Sequence, residues 1–384
     1  MMPVGVLPHS FVNMIKPNIN SIFGYYQVGN QVYLNKTEAV FNATKNKQEL
    51  KWNFHEDTFS KLNWSQRPTS TLADMYKERA QQIRDRYDHV IVMFSGGMDS
   101  WTVLHSFLSN NIHIDEIYTS WPRAERKFRL LSNDTNQSNI GSEYEFAVLP
   151  VIKHIKNKYP KTNIFLNDFS DDLQGELTES DFFKINNYQN MPAFFKYSRY
   201  TEQELLAIKQ NKRVAVVTGS EKTHVTVKDG DFYAFFTDQS NGADSIGRNI
   251  EFFYWSPEFP LIPVLQAHVL KDYIIQDLHA NPGKIPGRDN FRFTYQEACY
   301  PEYNINTFQA TKQFGSLSWA SDNWIKEYNP GYYNSWKWVT DQYFDHIDTK
   351  YLKTNKEGAM IGIELCNSPL YLIEKNTGLP DFKC

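Results

Sequence analysis

His89-Val90-Ile91-Val92-Met93-Phe94-Ser95-Gly96-Gly97-Met98-Asp99-Ser100 is the stretch that decides the fold. Residues 89–94 form a short apolar run of buried-strand type. The run passes directly into two glycines. A helical stretch follows from about Asp99 to Asn110, with Val103, Leu104 and Phe107 on its apolar face. Upstream, Leu72, Tyr76, Ala80, Ile83 and Tyr87 recur at spacings of three and four. That spacing predicts one face of a helix starting near Ser70 or Thr71, just after Pro68. Downstream, strands are predicted at Glu116–Ser120, Lys161–Asn167 and Arg213–Thr218. Helices are predicted at Glu143–Lys158, where Pro150 is expected to kink or break the helix, and at Glu202–Asn211. Residues 122–140 read as a polar loop. Such alternation predicts an α/β fold of Rossmann-like type: a parallel sheet, right-handed crossovers and helices on both faces. Ligands bind such sheets beyond the carboxyl ends of the strands, where Ser95–Ser100 and Thr218–Glu221 fall.

The flanks read differently. Gly24–Val28 and Gln31–Leu34 alternate around Gly29-Asn30, a hairpin signal. Thr37 is the expected cap of a short helix through Asn46, and Glu49–Phe54 reads as a strand. These place a small α+β unit at 1–66 and the main domain at 67–280. Within the latter, His224–Lys228 and Asp231–Phe236 flank Asp229-Gly230, a second hairpin, and Ala267–Leu278 reads as a helix. Residues 281–384 are irregular and aromatic-rich, either a separate domain or a wrap over the sheet.

The 384 residues carry a net charge of -4, with 22% charged side chains, so composition neither requires nor excludes a nucleic-acid partner. No apolar run approaches ~20 residues, and no membrane span is expected. The N-terminus lacks the pattern of a secretory signal. The three cysteines, Cys299, Cys366 and Cys384, are far apart, which fits a reducing cytoplasm better than a disulfide framework or a zinc site.

Strand, Ser95–Ser100 and helix together have the chemistry of a phosphate loop. Gly96 and Gly97 let the backbone turn and bring N–H groups close to an anion. The helix N-terminus adds partial positive charge. Ser95 and Ser100 add hydroxyls. Asp99 beside phosphate requires a cation between them, and Mg2+ is the expected one. The structural reading of the same residues is a Gly-Gly turn with Asp99 capping a helix. Six specific residues between a buried strand and a helix favour the nucleotide site. A GxxxxGK[ST] loop would supply a lysine to the terminal phosphates, and none occurs here.

Residues 95–100 resemble the SGGxDS PP-loop of the N-type ATP pyrophosphatases, which include asparagine, GMP and NAD synthetases and 7-cyano-7-deazaguanine synthase. The helix Leu72–Arg86, the strand HVIVMF and the loop follow in the order and spacing of the asparagine synthetase synthetase domain. Thr218-Gly219-Ser220-Glu221 is similar to that family's second glycine-acid turn, although the second glycine and acid pair are absent and the glutamate is displaced by one. The likeness covers about residues 70–280. The whole chain is also reminiscent of bacteriophage PP-loop proteins labelled asparagine synthase-like. The resemblance implies a sheet of HUP, or adenine nucleotide α-hydrolase-like, type. It also implies ATP with Mg2+, cleavage between the α- and β-phosphates, and transfer of AMP to a substrate oxygen that a nitrogen nucleophile then attacks. The chain begins Met1-Met2-Pro3 where asparagine synthetase has a cysteine nucleophile, and residues 1–94 are few for a glutaminase domain. The expected nitrogen source is therefore ammonia, an amine substrate or a separate donor enzyme.

Other candidates carry two readings each. Tyr118 and Thr119, ending the second strand, are either neighbours of the adenine ring or simple core. Gly219 belongs to the nucleotide-binding set. Glu221 is placed to orient or deprotonate a nucleophile and Lys222 to neutralise developing charge, against a solvated turn. Asp168 and Asp171 lie in an acidic run that reads first as a solvated loop and second as a site for magnesium or an amine substrate. His268 and Lys271 share a helix; Lys271 is a candidate pyrophosphate ligand, and a surface helix with amphipathic side chains explains both equally well. Trp319, Trp324, Trp336 and Trp338, with Tyr328, Tyr332 and Tyr333, either stack nucleobases or fill a core or interface.

Three functions follow. The first is an AMP-forming C–N ligase acting on a small molecule or nucleobase in the cytoplasm, or the host cytoplasm if phage-encoded. The second is an enzyme that modifies tRNA or DNA. The third is a non-catalytic nucleotide-binding or virion-associated protein. The oligomeric state is open.

Overall fold

The computed structural model describes residues 22–120, 123–124, 148–168, 170, 200–219, 222–239, 248–282, 296–300, 326–354 and 360–383. Its elements run β1 (Tyr25–Val28), β2 (Gln31–Tyr33), α1 (Lys36–Asn46), β3 (Leu50–Asn53), α2 (Glu56–Phe59), α3 (Leu72–Arg86), β4 (His89–Met93) and α4 (Met98–Leu108). β5 (Glu116–Ser120), α5 (Leu149–Lys158), β6 (Asn163–Asn167), α6 (Glu202–Lys209) and β7 (Val214–Thr218) follow. Next come β8 (His224–Lys228), β9 (Asp231–Phe235), β10 (Ile250–Phe252), α7 (Leu261–Ala280), a 3-10 turn at Gln296–Cys299 and α8 (Pro330–Phe344). The chain closes with β11 (Leu352–Thr354), β12 (Met360–Ile363), β13 (Tyr371–Glu374) and β14 (Phe382–Lys383).

The central sheet has five parallel strands in the order β10-β7-β4-β5-β6. β4 lies in the middle, and all five of its residues are buried. A strand covered on both faces needs a continuous apolar run, which is what residues 90–93 supply. α3 begins at Thr71, whose hydroxyl accepts the Asp74 N–H, as the sequence predicts. From β4 the chain steps outward to β5 and β6, then returns to place β7 on the other side. Strand order therefore reverses between β4 and β7.

The structure departs from the sequence reading at several elements. Asn35, not Thr37, caps α1: its side chain accepts the Glu38 N–H, and Thr37 is buried in the first turn. Pro150 lies at the N-terminal edge of α5, where its missing N–H costs nothing. α7 starts six residues before Ala267, because Pro263 lies in its first turn, again without an intrahelical partner to lose. β10 has no counterpart in the sequence reading. Its three residues are too few to display a period, yet all are buried beside β7.

One hydrophobic core runs through residues from the N-terminal unit, the sheet and the C-terminal strands. Its centre is aromatic: Phe54 stacks on Phe59 at 5.7 Å, Trp255 meets Phe236 edge-on at 4.8 Å, and Trp64 stacks on Tyr371 at 4.6 Å. β13 and β14 flank the β8–β9 hairpin in a four-stranded antiparallel sheet of order β13-β9-β8-β14. β13 and β14 are thus joined to residues 224–235 by main-chain hydrogen bonds, while β11 and β12 pair with each other in a separate two-stranded sheet. A buried ion pair adds a polar tie: Lys36 Nζ lies 2.7 Å from Asp238 Oδ2, and neither side chain has any exposure. Lys36 also donates to the Glu364 carbonyl, while Asp238 accepts the Tyr26 hydroxyl and the Cys366 N–H. Such a pair is tolerated in the interior because its lone pairs and protons are used. Among the described residues no helix is long and apolar enough to cross a membrane.

Candidate functional site

The loop at the end of β4 folds around its own serines. Gly96 takes φ 88°, a left-handed conformation that a side chain disfavours, and Gly97 is the N-cap of α4. Ser95 N–H donates to Ser100 Oγ at 3.2 Å, and Ser100 Oγ donates to Gly97 O at 3.1 Å. No side chain caps α4 from the Gly97 position. Its first turn, with Asp99 in it, presents the positive end of the helix at the C-terminal edge of the central strand. This is the crevice between β4 and β7, at the strand-order reversal where open α/β sheets bind ligands.

β7 supplies the other wall. Gly219 packs against the first turn of α4 so closely that an added Cβ would lie 2.8 Å from Asp99 O and 2.8 Å from Val103 Cγ2. The glycine therefore permits the approach of two backbones. Lys222 follows, and its ammonium pairs with Asp99 Oδ1. The Lys222 side chain is 3% exposed and that of Asp99 39%, so a buried cation meets a half-open carboxylate. Glu221 lies outside the described residues.

A third wall comes from residues 296–300. Tyr300 donates its hydroxyl to Asp99 Oδ1, and the Lys222 ammonium lies 5.2 Å over its ring. Tyr254 donates to Asp99 O at 2.8 Å. Tyr76 donates to Cys299 O at 2.9 Å and accepts from Gln266 Nε2, which ties the turn to α3 and α7. Burial raises the pKa of Tyr76, Tyr254 and Tyr300 well above the usual phenol range, with Asp99 reinforcing the shift, so all three remain protonated donors. Burial likewise pushes the Cys299 thiol up to about 12, although Lys222 opposes the shift. Tyr300 and Tyr254 escaped the sequence reading. Nothing about Tyr300 except its place after Cys299 distinguishes it from the other tyrosines nearby in the sequence.

The remaining candidates are engaged elsewhere. Tyr118 and Thr119 are buried; the Arg248 guanidinium lies 4.9 Å over the Tyr118 ring, and Thr119 donates to Phe94 O at 2.6 Å. Thr119 thus braces the last residue before the loop. Asp168 Oδ1 accepts from Ser170 in a local turn and from the Arg123 N–H, which is 45 residues away in sequence, and Asp171 lies outside the described residues. His268 is buried against Trp64 O at 3.0 Å, and Lys271 pairs with Glu374. Tyr332 is buried and Trp338 is 57% exposed; Trp319 and Trp324 lie outside the described residues.

Among the described residues no group of three His, Cys, Asp or Glu side chains is placed to hold a metal ion. Among the described residues the carboxylate at the loop is that of Asp99. Magnesium bound through one or two carboxylates and the oxygens of a phosphate substrate suits that donor set. No family model matches the chain, and no curated protein does.

Proposed function

We propose that the chain is an ATP pyrophosphatase that transfers AMP to a substrate oxygen and completes a C–N bond by nitrogen attack, with a sheet of the HUP type. The observation that carries this reading is the Asp99–Lys222 pair seated between β4 and β7 at the open N-terminus of α4. The strand order, outward from β4 to β6 and then back across to β7 and β10, supports the same reading.

Each residue has a definable task. An anion at the Gly96–Gly97 turn would take the place of Ser95 Oγ, which accepts the Gly97 N–H at 3.4 Å, and free the Ser95 hydroxyl to donate to it. Magnesium, when bound with ATP, would supply charge neutralisation of the leaving pyrophosphate and be held by Asp99. Lys222 offers a desolvated ammonium for the charge that builds on the phosphate oxygens as the bond between the α-phosphorus and the bridging oxygen breaks. In the second half-reaction a nitrogen nucleophile attacks the activated carbon, and AMP leaves with the bonding pair. The acceptor is a small oxyacid or a nucleobase carbonyl, and its nitrogen comes as ammonia or an amine.

The test is a labelled-ATP assay with magnesium and pools of acceptors. AMP and pyrophosphate are the expected products, and Asp99→Ala is expected to abolish them. ADP and phosphate would refute the assignment. Absence of ATP binding would favour a non-catalytic role. Salt-dependent binding of tRNA or single-stranded DNA would move the acceptor to nucleic acid.

A further inference from the structure

Lys222 raises a question of charge balance. Its ammonium is almost wholly withdrawn from water, and a buried cation is tolerated only beside a counter-charge. That counter-charge is Asp99, the same carboxylate that suits a divalent ion. The oxygen concerned, Oδ1, also accepts the Tyr300 hydroxyl. A divalent ion on either oxygen of Asp99 would compete with Lys222 for its single negative charge and add two positive charges beside the ammonium. Among the described residues the polar groups around the pair are the phenols of Tyr254, Tyr300 and Tyr76 and the thiol of Cys299, and no second carboxylate stands with them. A polyphosphate compensates: its oxygens coordinate the metal and accept from the ammonium at once.

We propose that Lys222 and a divalent cation compete for Asp99, and that a nucleotide's polyphosphate decides between them, so that metal and nucleotide are accepted only together. This rests on the ATP-pyrophosphatase reading above. Tyr300 is the positioning residue, because its hydroxyl and its ring hold the carboxylate and the ammonium on one side of the loop. It acts through Asp99 and Lys222. The physical content is a coupling free energy between two ligands, which works equally in both directions.

The experiment uses the full chain, with Mn2+ followed by electron paramagnetic resonance and the non-cleavable analogue α,β-methylene-ATP. Wild-type protein is expected to bind Mn2+ about 10- to 100-fold more tightly when the analogue is present. In Lys222→Met, Mn2+ alone is expected to bind about tenfold more tightly than to wild type, while the analogue's enhancement falls. These opposite signs are not what a merely structural loss would produce. Lys222→Arg keeps the wild-type pattern. Tyr300→Phe lies between wild type and Lys222→Met, and adding Asp99→Asn to Lys222→Met removes the Mn2+ site. Equal Mn2+ affinity with and without the analogue in wild type would overturn the proposal, and that comparison stands even if the methionine variant does not fold. So would a Lys222→Met protein that is folded by circular dichroism and binds Mn2+ more weakly in both conditions. If calorimetry finds no binding of the analogue at saturating Mn2+, the nucleotide reading itself fails. Analogue binding without coupling to Mn2+ sinks the competition alone.

Discussion

Gly219→Ala tests how the site is held together. The added methyl would lie 2.8 Å from Asp99 O, 2.8 Å from Val103 Cγ2 and 3.0 Å from Asp99 C. Two of these three atoms belong to the backbone of the first turn of α4 and have no rotamer to adopt. Reaching the 3.4 Å of ordinary contact requires a relative shift of about 0.6 Å between β7 and α4. Overpacking of this kind costs about 1–3 kcal/mol. Asp99 and Lys222 lie on opposite sides of the shifted contact, so the geometry of the pair moves with it. Displacement by ~1 Å at a reacting centre costs ~100-fold, so under the proposed ATP-pyrophosphatase reading this smaller one is expected to lower AMP formation about tenfold. Urea unfolding followed by tryptophan fluorescence gives the first quantity and labelled ATP the second. Gly331→Ala is the control: its nearest neighbour is Asn329 Oδ1 at 3.6 Å and it lies in the first turn of α8, so alanine there is expected to be close to neutral. A Gly219→Ala protein with wild-type stability and turnover would refute the packing role.

Three other outcomes are expected. Lys36→Met leaves Asp238 buried without its cation and is expected to cost about 3–5 kcal/mol in urea unfolding; a loss under ~1 kcal/mol would contradict the buried-pair account. Cys299, fully buried with its thiol pushed up to about 12, is expected to resist iodoacetamide at pH 8 in the native protein and to react after denaturation, with labelled peptides read by mass spectrometry. His55 and His268 both have a pKa lowered by burial, so the folded state binds fewer protons than the unfolded chain. Their stabilising contribution is complete above the ordinary imidazole value of 6.5 and is lost as pH falls below it. His268→Gln is expected to reduce that acid sensitivity, and an unchanged pH profile of unfolding would count against it.

How much was legible depended on range. β4, α3 and the hairpin turns were readable because their signals lie in adjacent residues: apolar runs, a capping threonine, glycine at a turn. Asn35 outranked Thr37 because a cap is chosen by one residue's backbone angles, which periodicity does not report. β10 was hidden because burial of three residues is imposed by β7 beside them and not by any pattern of their own. Tyr118 and Thr119 were placed on the right strand, but packing alone determines that their side chains face core groups and brace Phe94.

The sequence by itself determined the loop. Glycine at 96, a buried strand before it and a helix after it follow from local sterics and local hydrophobicity. What only the tertiary structure decided is the company Asp99 keeps. Lys222 reaches it across 123 residues and Tyr300 across 201, and Gly219 allows the approach. No spacing in the chain encodes such contacts. They exist because β7 returns beside β4 and because the turn at 296–300 docks on α3 and α7, burying a lysine against the carboxylate of the loop.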